Sequence, residues 1–114
     1  MTRIVERYLE ALTSHDWGGL RACLCDDVVR IGPFNDEYRG ADAYVDFLST
    51  LMPTLPGYSM EVARITYVDD RAFVELAETV AGVCTDEALV FEITDGRIAT
   101  VDVFIKTRPS EPRT

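Results

Sequence analysis

Glu78 interrupts an apolar set. Within residues 71–80, Ala72, Val74, Leu76 and Val80 share one strand parity, and Glu78 falls among them. Alternation along a strand puts these side chains on one face, so the carboxylate projects into poorly solvated space. Burial disfavours the ionised form and raises the pKa of such a group. A carboxyl group held that way can give or take a proton near neutral pH. The plain alternative is a twist or bulge that lets Glu78 reach water, where glutamates usually reside.

Tyr8 lies on the apolar stripe of the first amphipathic segment, with Ile4, Val5, Leu9 and Leu12. A buried tyrosine normally finds a partner for its hydroxyl, and Tyr8 is either a donor to a ligand oxygen or an ordinary core residue. Asp102 stands between Val101 and Val103, and alternation leaves both faces open to it. Tyr8, Glu78 and Asp102 are the candidate catalytic residues. Arg30, on a short β-branched run, either meets an anionic group at a pocket mouth or pairs with Asp26 or Asp27. Trp17, Phe34, Phe47, Met60, Leu76, Leu89, Phe91 and Phe104 are candidates to line an apolar cavity, since core and ligand contacts need the same surface.

Other chemistries lack the residues they need. His15 is the only histidine, which excludes a histidine-rich metal site and leaves a Ser-His-Asp relay a single residue in a polar connector. Cys23, Cys25 and Cys84 are odd in number, and the Cys23-x-Cys25 spacing is not that of a redox pair; buried reduced thiols are expected. No metal or organic cofactor is suggested. A formal charge of −9 repels phosphate backbones and anionic headgroups, so neither nucleic acid nor a membrane is an expected partner. No segment approaches the roughly 20 apolar residues of a membrane span, and a cytoplasmic location is expected.

The chain of 114 residues has room for one domain. Helical spacing predicts helices over residues 3–13, over a short segment after the N-cap Asp16 that carries Trp17, Leu20, Cys23 and Leu24, and over a segment after Gly40 that carries Tyr44, Phe47, Leu48 and Leu51 and ends before Pro53. Val28 to Ile31 reads as a short strand, and residues 32–40 as a loop. From Tyr58 the period changes to 2, with strands over 58–67, 71–80, 84–94 and 97–106. The short turns between them, Asp95-Gly96 above all, imply an antiparallel meander. Residues 107–114, with two prolines and no apolar residue, are expected to be a flexible tail after a domain over 1–106. The fold class is α+β, with helices on one sheet face. The other face is also partly apolar, which points to a homodimer formed through the outer sheet face.

This order of elements, with Arg7-Tyr8-Leu9-Glu10-Ala11-Leu12, Asp16-Trp17-Gly18-Gly19-Leu20, Asp26-Asp27-Val28, Arg39-Gly40-Ala41 and the closing Asp95-Gly96-Arg97-Ile98, resembles the nuclear-transport-factor-2-like superfamily, its SnoaL-like branch most of all. The resemblance covers about residues 3–106. It implies a curved antiparallel sheet wrapped around three helices, a conical pocket open to a small apolar molecule such as a steroid, terpenoid or polyketide, and a dimer. Ketosteroid isomerases resemble the chain from Arg7 to Pro33. Tyr8 matches their oxyanion-binding tyrosine, but their general base falls on Gly32 and their protonated acid on Leu89. Against limonene-epoxide-hydrolase-like members, carboxylate positions fall on Glu78 and Asp102, while the bridging arginine falls on Leu76.

Two functions follow from these residues. One is a pocket protein that binds a small apolar molecule, with acid/base chemistry by Glu78, Asp102 and Tyr8 such as isomerisation, cyclisation or epoxide hydrolysis. The other is a non-catalytic ligand-binding or dimerisation module whose cone is filled by its own side chains.

Overall fold

The computed structural model describes residues 3–106, so the expected tail over 107–114 lies outside the described residues. Helix α1 (Ile4–Ser14) buries Val5, Tyr8, Leu9 and Leu12 along one stripe, as its spacing dictates, and ends on His15 in the left-handed conformation. Asp16 then caps α2 (Trp17–Ala22) by accepting the Gly19 amide at 3.0 Å. Gly19 is glycine for a reason: a β-carbon there would collide with that capping carboxylate. Helix α3 (Ala41–Leu51) runs into a 3-10 turn, Met52–Thr54, at Pro53.

Six strands form one sheet: β1 (Leu24–Ile31), β2 (Glu37–Arg39), β3 (Ser59–Val68), β4 (Arg71–Val80), β5 (Val83–Thr94) and β6 (Arg97–Ile105), in the spatial order β2-β1-β6-β5-β4-β3. The meander from β3 to β6 is antiparallel throughout, as expected. Val80 pairs with Val83 across Ala81-Gly82, and Thr94 with Arg97 across Asp95-Gly96. All four turn residues have positive φ, the geometry that matches the twist of two-residue hairpins.

The first strand departs from expectation in two ways. It begins at Leu24, which α2 does not reach, and it lies parallel to β6, so the sheet is mixed rather than wholly antiparallel. A register shift between Leu24 and Val29 interrupts it, and exposed Asp26 and Asp27 sit in that irregular stretch, where charge disguises a strand. The expected loop over 32–40 also contains β2, a three-residue edge strand paired with Val29 to Ile31. Its charged flanks suit an edge and hide it from pattern reading.

The core joins α1, α2 and α3 to the inward parity of the sheet, including Ala72, Val74, Leu76, Leu89, Phe91, Val101 and Val103. The other face carries Phe73 and Phe104, both exposed. All three cysteines are free, but Cys84 is exposed at the β4-β5 hairpin rather than buried. No helix among the described residues is long and apolar enough to cross a membrane.

Candidate functional site

A cavity of about 120 Å³ lies between α3 and the inner face of the sheet. Helix α1 contributes Tyr8 and Leu12, β1 contributes Arg30, and α3 with its 3-10 turn contributes Tyr44, Phe47, Leu48, Leu51 and Met52. Leu55, Tyr58 and Met60 close it at the entry to β3, and Leu76, Glu78, Val80, Glu87, Leu89 and Val103 form its floor. The walls are mostly apolar, and the few polar side chains form two groups.

In the first group the hydroxyls of Tyr8 and Tyr44 are hydrogen-bonded to each other. Both rings are fully buried, and Phe91 meets Tyr8 edge-on at 5.4 Å. Burial pushes both phenols above their ordinary range, so they stay protonated. Two hydroxyl hydrogens serve one mutual bond, and the pair therefore keeps one hydrogen for another acceptor. The Arg30 guanidinium lies 5.8 Å from the centre of the Tyr44 ring. It is nearly buried, lies 5.0 Å from the centre of the Phe47 ring and pairs with Asp36 at 3.3 Å. Gly32 makes that pair possible, because a β-carbon on residue 32 would occupy the place of the Asp36 carboxylate.

In the second group Tyr58 donates its hydroxyl to Oε2 of Glu78, and Glu87 lines the same wall of the cavity. Glu87 opposes Leu76 across β4 and β5, which makes Glu78 and Glu87 diagonal neighbours on one face. Burial first, then the neighbouring Glu78, raise Glu87 to about 9, with Arg30 acting the other way. The two carboxyl groups thus hold one proton between them at neutral pH. Burial, then Glu78, raises the Tyr58 phenol as well. The two groups feel each other across the void: Glu78 raises Tyr8, and Arg30 lowers Glu87.

Of the residues singled out in the sequence, Tyr8, Glu78, Arg30, Phe47, Met60, Leu76 and Leu89 line this cavity together. Five do not. Asp102 pairs with Ile31 and Val90 and has the parity opposite to buried Val101 and Val103, so it lies on the outer face of the sheet. Trp17 is only partly buried and stacks on His15 at 5.3 Å. Phe34 is 84% exposed in the turn before β2. Phe91 is packed in the core behind Tyr8, and Phe104 stands on the outer face.

Sequence reading missed Glu87, Tyr44 and Tyr58. Glu87 shares the parity of Leu89 and Phe91, the same signal that marked Glu78. Tyr44 opens the apolar stripe of α3, as Tyr8 does on α1. Tyr58 precedes the first ladder pair of β3 and has no periodic signature. Among the described residues no cluster of side chains could hold a metal ion.

Comparison with known proteins identifies the family and the fold. The family model of the SnoaL-like domain matches residues 5–101. No curated protein matches the chain. Among solved structures, a candidate ketosteroid isomerase from Kribbella flavida DSM 17836 superposes with a TM-score of 0.86 at 20% identity, covering 97% of this chain and 81% of that one. An LEH-like epoxide hydrolase from M. tuberculosis gives 0.76 at 25% identity, with 90% and 80% covered. A candidate SnoaL-like polyketide cyclase from Shewanella putrefaciens CN-32 gives 0.79 at 15% identity, with 90% and 77% covered.

Proposed function

Because this chain belongs to the SnoaL-like domain family, in which activity must be argued from the site and not the fold, we propose that it binds a small carbonyl compound and moves a proton on it without a cofactor. The observation that carries this reading is that Glu78 and Glu87 line the same cavity as the hydrogen-bonded hydroxyls of Tyr8 and Tyr44, with burial pushing Glu87 up to about 9.

With the proton of the pair on Glu87, the carboxylate of Glu78 takes a proton from the carbon next to the carbonyl. The C–H electron pair moves into a carbon–carbon double bond, and the carbonyl π pair moves onto oxygen. The Tyr8–Tyr44 pair donates to that developing oxyanion, with Arg30 behind Tyr44. Glu87 then returns its proton to the enolate, at the same carbon or at a conjugated one. The pair ends with one proton, now on Glu78, and is reset by transfer between the two carboxyl groups. The missing base at position 32 is not needed in this scheme, because the floor of the cavity supplies the carboxylate. A void of this kind also disfavours a cone filled by its own side chains.

The test is exchange of α-hydrogens for deuterium, followed by proton NMR in D2O, with cyclohexanone and a four-ring 3-ketosteroid as probes. The native protein accelerates exchange of at least one probe, and Glu78→Gln does not. Equal rates for native protein, variant and buffer with both probes overturn the reading.

The outer face supports a homodimer. Beside exposed Phe104 lies a hollow of about 400 Å³ with Ala63, Ala77 and Ala88 among its lining. That lining also includes Glu61, Glu75, Asp86, Glu87 and Lys106, and a protruding ring beside such a hollow can seat against its copy about a two-fold axis, as an isologous contact requires. Phe104→Glu should convert a dimer into monomers by light scattering on a sizing column; a native monomer at micromolar concentration contradicts the assignment.

A further inference from the structure

We infer that the cavity selects neutral single-ring molecules carrying one acceptor oxygen, and turns away fused polycyclic ones. The inference rests on the reading above and narrows its substrate class.

Size comes first. An apolar cavity of about 150 Å³ takes up benzene, whereas pockets for drug-sized molecules span roughly 300–1,000 Å³. At about 120 Å³, this cavity holds a ring of six or so atoms and a substituent. Enlargement inward is resisted, because the inner walls, Tyr8, Tyr44, Leu48, Leu76 and Leu89, are each at most 6% exposed and packed in the core, while Leu51 on the opposite side is 37% exposed. A second fused ring directed inward must displace one of these inner walls, at the expense of native packing.

Charge comes second. The guanidinium of Arg30 is already neutralised by Asp36, and the Glu78–Glu87 pair keeps a proton and hence one negative charge. An anionic ligand would meet that charge in a poorly solvated space. A neutral molecule avoids that cost. The spare hydroxyl hydrogen of the Tyr8–Tyr44 pair asks for an acceptor, so an oxygen is recognised where a methylene of the same shape is not.

Methyl-resolved carbon-13 NMR of the intact chain tests this with three probes: cyclohexanone, its isostere methylenecyclohexane, and the four-ring ketone androst-4-ene-3,17-dione. Cyclohexanone should shift the methyls of Leu76, Leu89 and Val103 and saturate at about 0.1–10 mM, as a tiny ligand can. Methylenecyclohexane should bind about tenfold more weakly or less. The four-ring ketone should leave these methyls unmoved. If the four-ring ketone moves them with affinity equal to or above that of cyclohexanone, the size limit is wrong while the pocket reading stands. Equal binding of cyclohexanone and methylenecyclohexane overturns the oxygen requirement. If no probe moves these methyls, the ligand-binding reading itself falls with the inference.

Discussion

Glu87 sits diagonally across the β4-β5 ladder from Glu78, opposite Leu76, and both carboxyl groups line one cavity. Two glutamates so placed cannot both ionise readily in poorly solvated surroundings. One keeps its proton, and a donor and an acceptor of protons then stand side by side where Tyr8 and Tyr44 can polarise an oxygen.

Removing either carboxylate should separate catalysis from folding. Glu78→Gln and Glu87→Gln should each reduce α-hydrogen exchange by about 10²–10⁴-fold, the usual contribution of a placed acid or base. Neither should lower the melting temperature, since the amide oxygen can still accept from Tyr58 at position 78 and an amide can replace the protonated carboxyl at position 87. Thermal melts beside exchange rates check this, and a large loss of stability would mark the pair as structural.

The pH dependence of stability has a defined sign. Glu87 titrates at about 9 when folded against 4.5 in its ordinary state. Between these values the folded chain holds a proton that the unfolded chain has released, so this group makes stability fall as pH rises from about 4.5 to 9. Below that window it has no effect, and above it the loss is complete. Glu87→Gln should flatten the decline, read as urea midpoints across the window.

The tyrosine pair makes a different prediction. Tyr8→Phe removes the mutual bond with Tyr44 and one donor to the oxyanion, and should reduce exchange by about 10²–10³-fold. It should also destabilise by about 1–3 kcal/mol, because the buried Tyr44 hydroxyl loses a partner. Tyr44→Phe should behave alike. Exchange rates and urea melts of the two variants and their double mutant would show the coupling as non-additivity.

Gly32→Ala tests the support of Arg30. A β-carbon at this position collides with the Asp36 carboxylate, so the Arg30–Asp36 pair must move. A loss of about 1–3 kcal/mol is expected from overpacking, with weakened ligand binding. Asp36→Asn in the Gly32→Ala background leaves the steric conflict in place and should not restore stability. Smaller Asp36→Ala relieves the collision and should recover only the steric part of the loss, because it leaves the nearly buried Arg30 guanidinium without its partner.

Much of the fold is readable from the chain because local signals and tertiary demands agree there. The α1 stripe of Tyr8 and Leu12, the Asp16 cap and the Asp95-Gly96 hairpin each state their own geometry. Glu78 is legible on the same ground, since parity alone places it inside. Parity did not decide Asp102, because the faces of β6 can be told apart only once its pairing with β5 and β1 is known. The edge strand β2 and the irregular half of β1 depend on partners distant in sequence and carry charge on their surfaces, so no periodic pattern announces them. Phe34 and Phe104 are as apolar as any core residue; only tertiary structure shows that both face outward. The Glu78–Glu87 contact is a diagonal relation between strands, and it becomes visible only when the register is fixed.

Carbon-13 NMR titration of the glutamate side-chain carboxyls tests the shared proton most directly. The structure predicts that the Glu87 carboxyl keeps the chemical shift of a protonated acid through neutral pH and titrates near 9, and that Glu78→Gln lowers its midpoint by removing a neighbouring negative charge. A Glu87 carboxyl that titrates near its ordinary 4.5 would contradict the shared proton and the chemistry built on it.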